Sequence, residues 1–188
     1  MTTTYTRPAA GPTPAAASAS ALARPWRLRA RTRKTVLVLH IASAGVWLGI
    51  DVVIGVLVFT ALLTGSDRTK ALCYQALELF AVWPLLTTGL VCLATGVLLG
   101  LGSKYGLVRY WWVAVKLVLN IILTSLVLVA LRPTVLDAAA RAGDFLAGGP
   151  PDLGVGGLIF PPVVSTSALV FATVLSVFKP WGRVRARR

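Results

Sequence analysis

The chain has 188 residues, 56% of them hydrophobic and 13% charged, with a mean hydropathy of +0.79. That balance excludes an ordinary soluble domain and points to an integral membrane protein with one membrane domain. The formal net charge of +13 would suit nucleic acid, but the basic residues flank apolar runs instead of forming a patch, so no nucleic-acid partner is expected.

Residues 1–33 are rich in Thr, Ala, Pro and Ser and read as a disordered basic tail. They do not read as a cleaved leader, because the apolar run that follows is far longer than a signal core. The cluster Arg24, Arg27, Arg29, Arg31, Arg33, Lys34 abuts that run and reads as a topology anchor suited to anionic lipid head groups, as do the C-terminal arginines of a basic tail over 183–188. Between the tails, residues 34–182 are expected to form an all-α, four-transmembrane-helix bundle with spans at about 36–63, 72–101, 110–131 and 158–178.

The first span, Val36 to Leu63, holds the sole histidine, His40, together with Trp47 and Asp51. At about 100° per residue, His40, Ser43, Trp47, Asp51 and Ile54 share one stripe, and a polar stripe in lipid must face protein or water. The turn signal Thr64-Gly65-Ser66-Asp67 closes this span. The second carries Glu78 early and Trp83-Pro84, where a kink or the end of an interfacial turn is expected. Lys116, Asn120 and Thr124 share one face of the third. Ser165, Thr166 and Ser167 sit in the fourth. The connection over 133–157 is the one long outer loop; its first part reads as an amphipathic helix with Val135, Leu136, Ala139 and Phe145 inward, its second as a flexible linker.

Charge sets the orientation. With the N-terminus in the cytoplasm, 14 basic residues lie inside and four outside, which favours N-in and C-in. Tyr110, Trp111, Trp112 and Trp181 then fall at inner interfaces. The Arg, Ala, Gly and Val richness suits a GC-rich bacterial gene, and hence a multi-pass protein of the cytoplasmic membrane.

Depth follows from a rise of 1.5 Å per residue. His40 and Lys116 fall at an inner level, Asp51 and Glu78 at an outer one, and Asn120 near the midplane. A buried charge costs about 2.5–3.5 kcal/mol on insertion scales, so these residues need partners or water. Three readings stay open: a polar pathway or small-ligand pocket lined by Asp51, Glu78 and Lys116, a structural network in which Asp51 or Glu78 pairs with Lys116 or Asn120, and snorkelling of Glu78 and Lys116 to the interface. Gly45/Gly49 and Gly96/Gly100 form two GxxxG motifs, read as intramolecular packing, with a homodimer or larger membrane complex as the other use.

Cofactor chemistry is thinly supported. A b-type haem commonly takes two axial ligands, and with one His and Met1 as the only Met, a single-chain bis-histidine haem is excluded while a site shared by two copies stays open. Cys73 and Cys92 stand too far apart on one run to bridge, no CxxC or Cys/His cluster occurs, and copper passage wants ladders of soft ligands that are missing. No nucleotide loop, nucleophile elbow or HExxH appears, so no enzyme signature is present.

His40 with Trp47-Leu48-Gly49, and Trp112 with Lys116, resemble the membrane domain of copper resistance protein D and related four-span bacterial proteins, among them HemJ-like protoporphyrinogen oxidases and uncharacterised actinobacterial membrane proteins. The resemblance covers roughly 35–178. It implies a functional pair of His40 and Lys116 beside Trp47, with haem, porphyrin or copper at the histidine. The reading that follows from the residues is a non-enzymatic accessory or small transporter-like module with an intramembrane polar seam. A haem- or porphyrin-linked redox protein centred on His40, or a copper-transport-related protein, is the alternative.

Overall fold

The computed structural model describes residues 28–102, 107, 110–154 and 157–178. Most of both tails, with Arg24, Arg27, Trp181 and the C-terminal arginines, and Lys104 and Arg109 of the second connection, lie outside the described residues. The described chain is helical: α1 Ala30–Leu63, α2 Asp67–Ala81, α3 Trp83–Leu101, α4 Trp111–Leu126, a π-helical segment Val127–Leu131, α5 Arg132–Leu146 and α6 Phe160–Phe178. α2 runs into α3, and α4 through the π segment into α5, so four rods are long and apolar enough to cross a membrane: Ala30–Leu63, Asp67–Leu101, Trp111–Leu146 and Phe160–Phe178.

In plan, α1 packs against α3 and α6, and α4 against the same two, which makes a four-helix bundle with α1 and α4 on a diagonal. α1 and α3 run antiparallel in a fixed register. Gly96 lies against His40, Gly89 against the Trp47 ring, and Leu85 shares a cavity with Asp51. Each step along α1 is matched by an equal step back along α3. Trp83, the first residue of α3, is therefore level with about Val53, and α1 continues some ten residues, about 15 Å, beyond it.

Against that overhang packs α2, and α5 packs in turn on α2. Both are amphipathic: Ala71, Tyr74, Leu77 and Ala81 of α2 and Val135, Ala138, Ala139 and Ala142 of α5 are buried at helical spacing. The alanines let the backbones close, and Gln75 Nε2 donates to Ala139 O at 3.0 Å across the gap. Tyr74 OH donates to Leu153 O at 3.3 Å, which ties the following loop to this layer. The expected outer loop thus begins as a helix that continues the third rod. Its inward face includes Val135 and Ala139, but Leu136 is 39% exposed, because the buried stripe runs 135, 138, 139, 142 and places 136 on the far side.

Local chemistry sets the breaks. Ser66 caps α2 by accepting from Thr69 N at 3.3 Å. The second rod breaks at Val82 (φ −105°, ψ −74°), with Pro84 in the first turn of α3, where its missing N–H costs nothing. Pro133 stands inside the third rod, where its ring would strike the carbonyl four residues back; the wider π turn over Val127–Leu131 relieves that clash. Gly148, at φ +97°, turns the chain out of α5, with Gly148 N bonded to Phe145 O and Gly149 N to Asp144 O.

The four motif glycines do not share one role. Gly96 is the close approach between helices that the motif predicts: a Cβ there would stand 3.2 Å from His40 Cε1 of α1. Gly100 is also buried, but the expected helix–helix contact is not what buries it. It lies in the last turn of α3, and the group against it is Leu107 of the connection to α4, whose side chain an added Cβ would strike. The physical reason is position: α3 ends one residue later, so the space beside Gly100 is taken by the returning chain, and its small size serves the turn of the chain and not the packing of two rods. Gly45 and Gly49 face away from the bundle, with nothing within 4 Å of an added Cβ, so the packing role read for them within the chain is not realised.

Candidate functional site

The stripe on α1 faces inward as its spacing requires. Ser43, Trp47, Asp51, Ile54, Val58 and Ala61 are its buried residues, and His40 is half-buried toward its N-terminal end. Along this stripe the polar groups fall into two separate clusters.

The cluster at that end, called inner after the orientation expected from charge, joins α1, α3, α4 and α6. His40 Nδ1 lies 3.0 Å from Cys92 O, 3.0 Å from Thr95 Oγ1 and 3.7 Å from Cys92 Sγ. A carbonyl oxygen can only accept, so Nδ1 carries the proton and donates, and the lone pair of the neutral ring sits on Nε2. Thr95 Oγ1 also donates back to Val91 O at 2.6 Å, and Ser43 Oγ to His40 O at 3.0 Å. Ser43 and Asn120 lie near the Cys92 thiol, and Asn120 Oδ1 accepts from Thr124 Oγ1 at 3.3 Å. Lys116 lies near enough for its charge to be felt at His40; its Nζ donates to Ser176 Oγ at 2.7 Å and stands 4.7 Å from the centre of the Trp112 ring.

Above this cluster sits Trp47, with no exposed surface. Its ring fills the space beside Gly89, where an added Cβ would come within 3.0 Å of both Trp47 Cζ3 and Thr124 Oγ1. Its Nε1 is buried and has no hydrogen-bond partner among the described residues. An orphan buried donor costs about 1–3 kcal/mol, so the ring's apolar packing outweighs it.

The outer cluster is a carboxylate and a hydroxyl at a cavity. Asp51 is 2% exposed, and Ser165 Oγ of α6 donates to its Oδ2 at 2.6 Å. Both line a cavity of about 310 Å³ bounded by Ile54, Leu85, Leu123, the π segment, Thr134 and the start of α6. The ion pairs found among the described residues, Lys70–Asp67 and Arg141–Asp137, both lie on α2 and α5, and neither involves Asp51.

The sequence-derived candidates therefore divide. His40, Lys116 and Asn120 lie on one side of Trp47, His40 bonded to Cys92 and Thr95, Lys116 to Ser176 and Asn120 to Thr124, while Asp51 stands apart with Ser165 in place of Glu78, Lys116 or Asn120. Glu78 does not join Asp51: it is exposed on the outer face of α2, above the start of α3, and belongs to neither cluster. Sequence reasoning missed Cys92 and Thr95 as His40's partners. Their spacing of three residues, with Gly96 beside them, was a legible hint of a polar face on α3, but nothing in one sequence pairs that face with His40. Among the described residues no three His, Cys, Asp or Glu side chains gather as a metal site. No protein-family model matches the chain, and no curated protein or solved structure matches it either.

Proposed function

We propose that the protein is a multi-pass protein of the bacterial cytoplasmic membrane, with both termini in the cytoplasm, and that it is a non-enzymatic, transporter-like module handling a small ligand in the polar seam of its bundle. Four long apolar rods and the distribution of basic residues support the membrane setting. One observation carries the rest: Asp51, all but fully buried, lines a cavity with the Ser165 hydroxyl as its hydrogen-bond partner among the described residues. A structural staple needs no cavity beside it, and a carboxylate in apolar surroundings is expensive to keep.

Stability in detergent tests this. Asp51→Leu removes the buried carboxylate, and the Ser165 hydroxyl can turn to a carbonyl of its own helix. If Asp51 serves a ligand, the variant gains stability, on the order of 1–4 kcal/mol. A loss of stability would make the Asp51–Ser165 contact an architectural one and remove the basis of the proposal.

A second reading has one observation in its favour. His40 is held by Cys92 O and Thr95 Oγ1 through Nδ1, the arrangement that orients an imidazole to offer Nε2 to an iron or other acceptor. This would suit a haem- or porphyrin-linked protein of the kind the resemblance implies. Copper fits less well: Cys92 Sγ lies beside the protonated Nδ1, so the two cannot bind one ion without breaking the hydrogen bond to Cys92 O. A Soret band in the purified protein that disappears in His40→Ala would establish the second reading; protein free of chromophore and metal would end it.

A further inference from the structure

The cavity at Asp51 has a chemistry of its own, and it narrows what can occupy it. This inference rests on the reading of Asp51 as a ligand group and goes on to name the ligand class. Of the residues lining the cavity, Asp51, Ser165 and Thr134 bring polar side chains; the others are glycine, proline or apolar. Thr134 Oγ1 already donates to Ala130 O at 2.8 Å, and the Ser165 hydroxyl proton is spent on Asp51.

Each ligand class meets these groups differently. An anion would face the Asp51 carboxylate and find few donors. The first turn of α6, normally a source of free N–H groups, begins Phe160-Pro161-Pro162, and two of those three residues have no N–H. A bare metal cation needs six or more oxygens, or several nitrogen and sulfur ligands, and the walls offer three polar side chains. A neutral apolar molecule would fill the walls but leave the carboxylate oxygen beyond Ser165 without a partner. A cation with its own N–H donors and a compact apolar body satisfies every surface: the ammonium meets Asp51, and the body meets Ile54, Leu85, Leu123 and Phe160. At about 310 Å³ the space is at the small end of ligand pockets, which excludes a lipid tail or a porphyrin.

We propose that this cavity between α1, α4 and α6 binds a small monocationic amine with an apolar body, its ammonium paired with Asp51 and its body against the π segment and α6. Ser165 is a positioning residue that holds the carboxylate toward the cavity.

The test is equilibrium binding to the full chain in detergent with 2-phenylethylamine as probe, beside phenylacetate and 2-phenylethanol, its anionic and neutral counterparts. The amine is expected to bind saturably at one per chain, the anion not at all, and the alcohol at least about tenfold more weakly, since truncating a buried charge pair is worth tenfold or more. Asp51→Asn should weaken amine binding by a similar factor, and Ala130→Phe, which fills the cavity while sparing Asp51, should block it. The comparison of the three probes on the unsubstituted protein holds even if a variant fails to fold. Equal binding of amine and alcohol, or amine binding unchanged in both Asp51→Asn and Ala130→Phe, overturns the proposal. No saturable amine binding with Asp51→Leu more stable than the parent overturns the ligand class alone; no binding with Asp51→Leu less stable overturns the reading of Asp51 beneath it as well.

Discussion

Gly89→Ala is the sharpest probe of how the bundle is packed. Gly89 lies on α3 where the Trp47 ring and the Thr124 hydroxyl converge, and an added Cβ would stand 3.0 Å from each. Neither neighbour can retreat: Trp47 has no exposed surface, and Thr124 is 7% exposed. Alanine restores helix propensity worth about 0.8–1.0 kcal/mol, and overpacking a filled core costs about 1–3 kcal/mol, so the substitution should destabilise by roughly 0–2 kcal/mol. Gly49→Ala is the control. It makes the same exchange in the interior of α1 with nothing within 4 Å, so it keeps the propensity gain alone. In the difference between the two variants propensity cancels and the overpacking remains, about 1–3 kcal/mol. Unfolding in mixed detergent and dodecyl sulfate micelles, followed by tryptophan fluorescence, measures both. If Gly89→Ala proves as stable as Gly49→Ala, Trp47 does not occupy that space and the antiparallel register of α1 and α3 is wrong.

Three further outcomes follow from the same contacts. Trp47→Phe should stay within about 1 kcal/mol of the parent, because losing the orphan indole N–H offsets part of the lost ring, whereas Trp47→Ala should cost about 3–5 kcal/mol; equal damage from both in the same unfolding assay would mean that Nε1 has a partner. Thr95→Val removes one of His40's two hydrogen-bond partners and should cost about 0.6 kcal/mol, the usual worth of such bonds within membrane bundles, with a non-additive double-mutant cycle against His40→Ala; strict additivity would deny the contact. Cys73 and Cys92 are 7% and 4% exposed, so a maleimide should label both slowly in the folded protein and rapidly after denaturation; rapid labelling of Cys92 while folded would show the His40 cluster to be open.

The parts legible in the sequence are those governed by a single helix. The stripe on α1 could be read because 3.6-residue periodicity fixes which side chains share a face, and Trp47, Asp51 and Ile54 are buried on it. The four rods, the break before Pro84 and the helix after Pro133 are likewise local properties of apolar length and proline. The pairings between helices were not legible. Asp51 and Ser165 are 114 residues apart, and His40 and Thr95 are 55 apart; only the packing of the bundle brings them together. The glycine spacing shows the same limit: one GxxxG pattern gave a helix contact at Gly96 and a loop contact at Gly100, because the pattern fixes a face but not what lies against it. Depth counting failed for Glu78 for a definite reason. It assumed that the second run crosses the apolar layer from its first residue, whereas that run is two helices and Glu78 belongs to the amphipathic one that precedes the start of α3.

The separation of the two clusters bears on mechanism more than either cluster does alone. His40 and Asp51 lie on one face of α1, 11 residues and about 16 Å apart, and Trp47 stands between them. A continuous polar path would need hydrogen-bonding groups at the Trp47 level, yet what meets there is an indole with an unpartnered N–H, a glycine and the Thr124 hydroxyl. The ring therefore closes the seam into an outer cavity and an inner network. Any ligand that passes from one to the other has to displace Trp47, whose rotation is restrained by Gly89 on one side and could be rewarded by a partner for Nε1 on the other. Thr124 bonds Asn120, which lies near Cys92, so Thr124 stands between the ring and the residues around His40. On these grounds Trp47, more than either ionisable residue, separates the cavity at Asp51 from the network at His40.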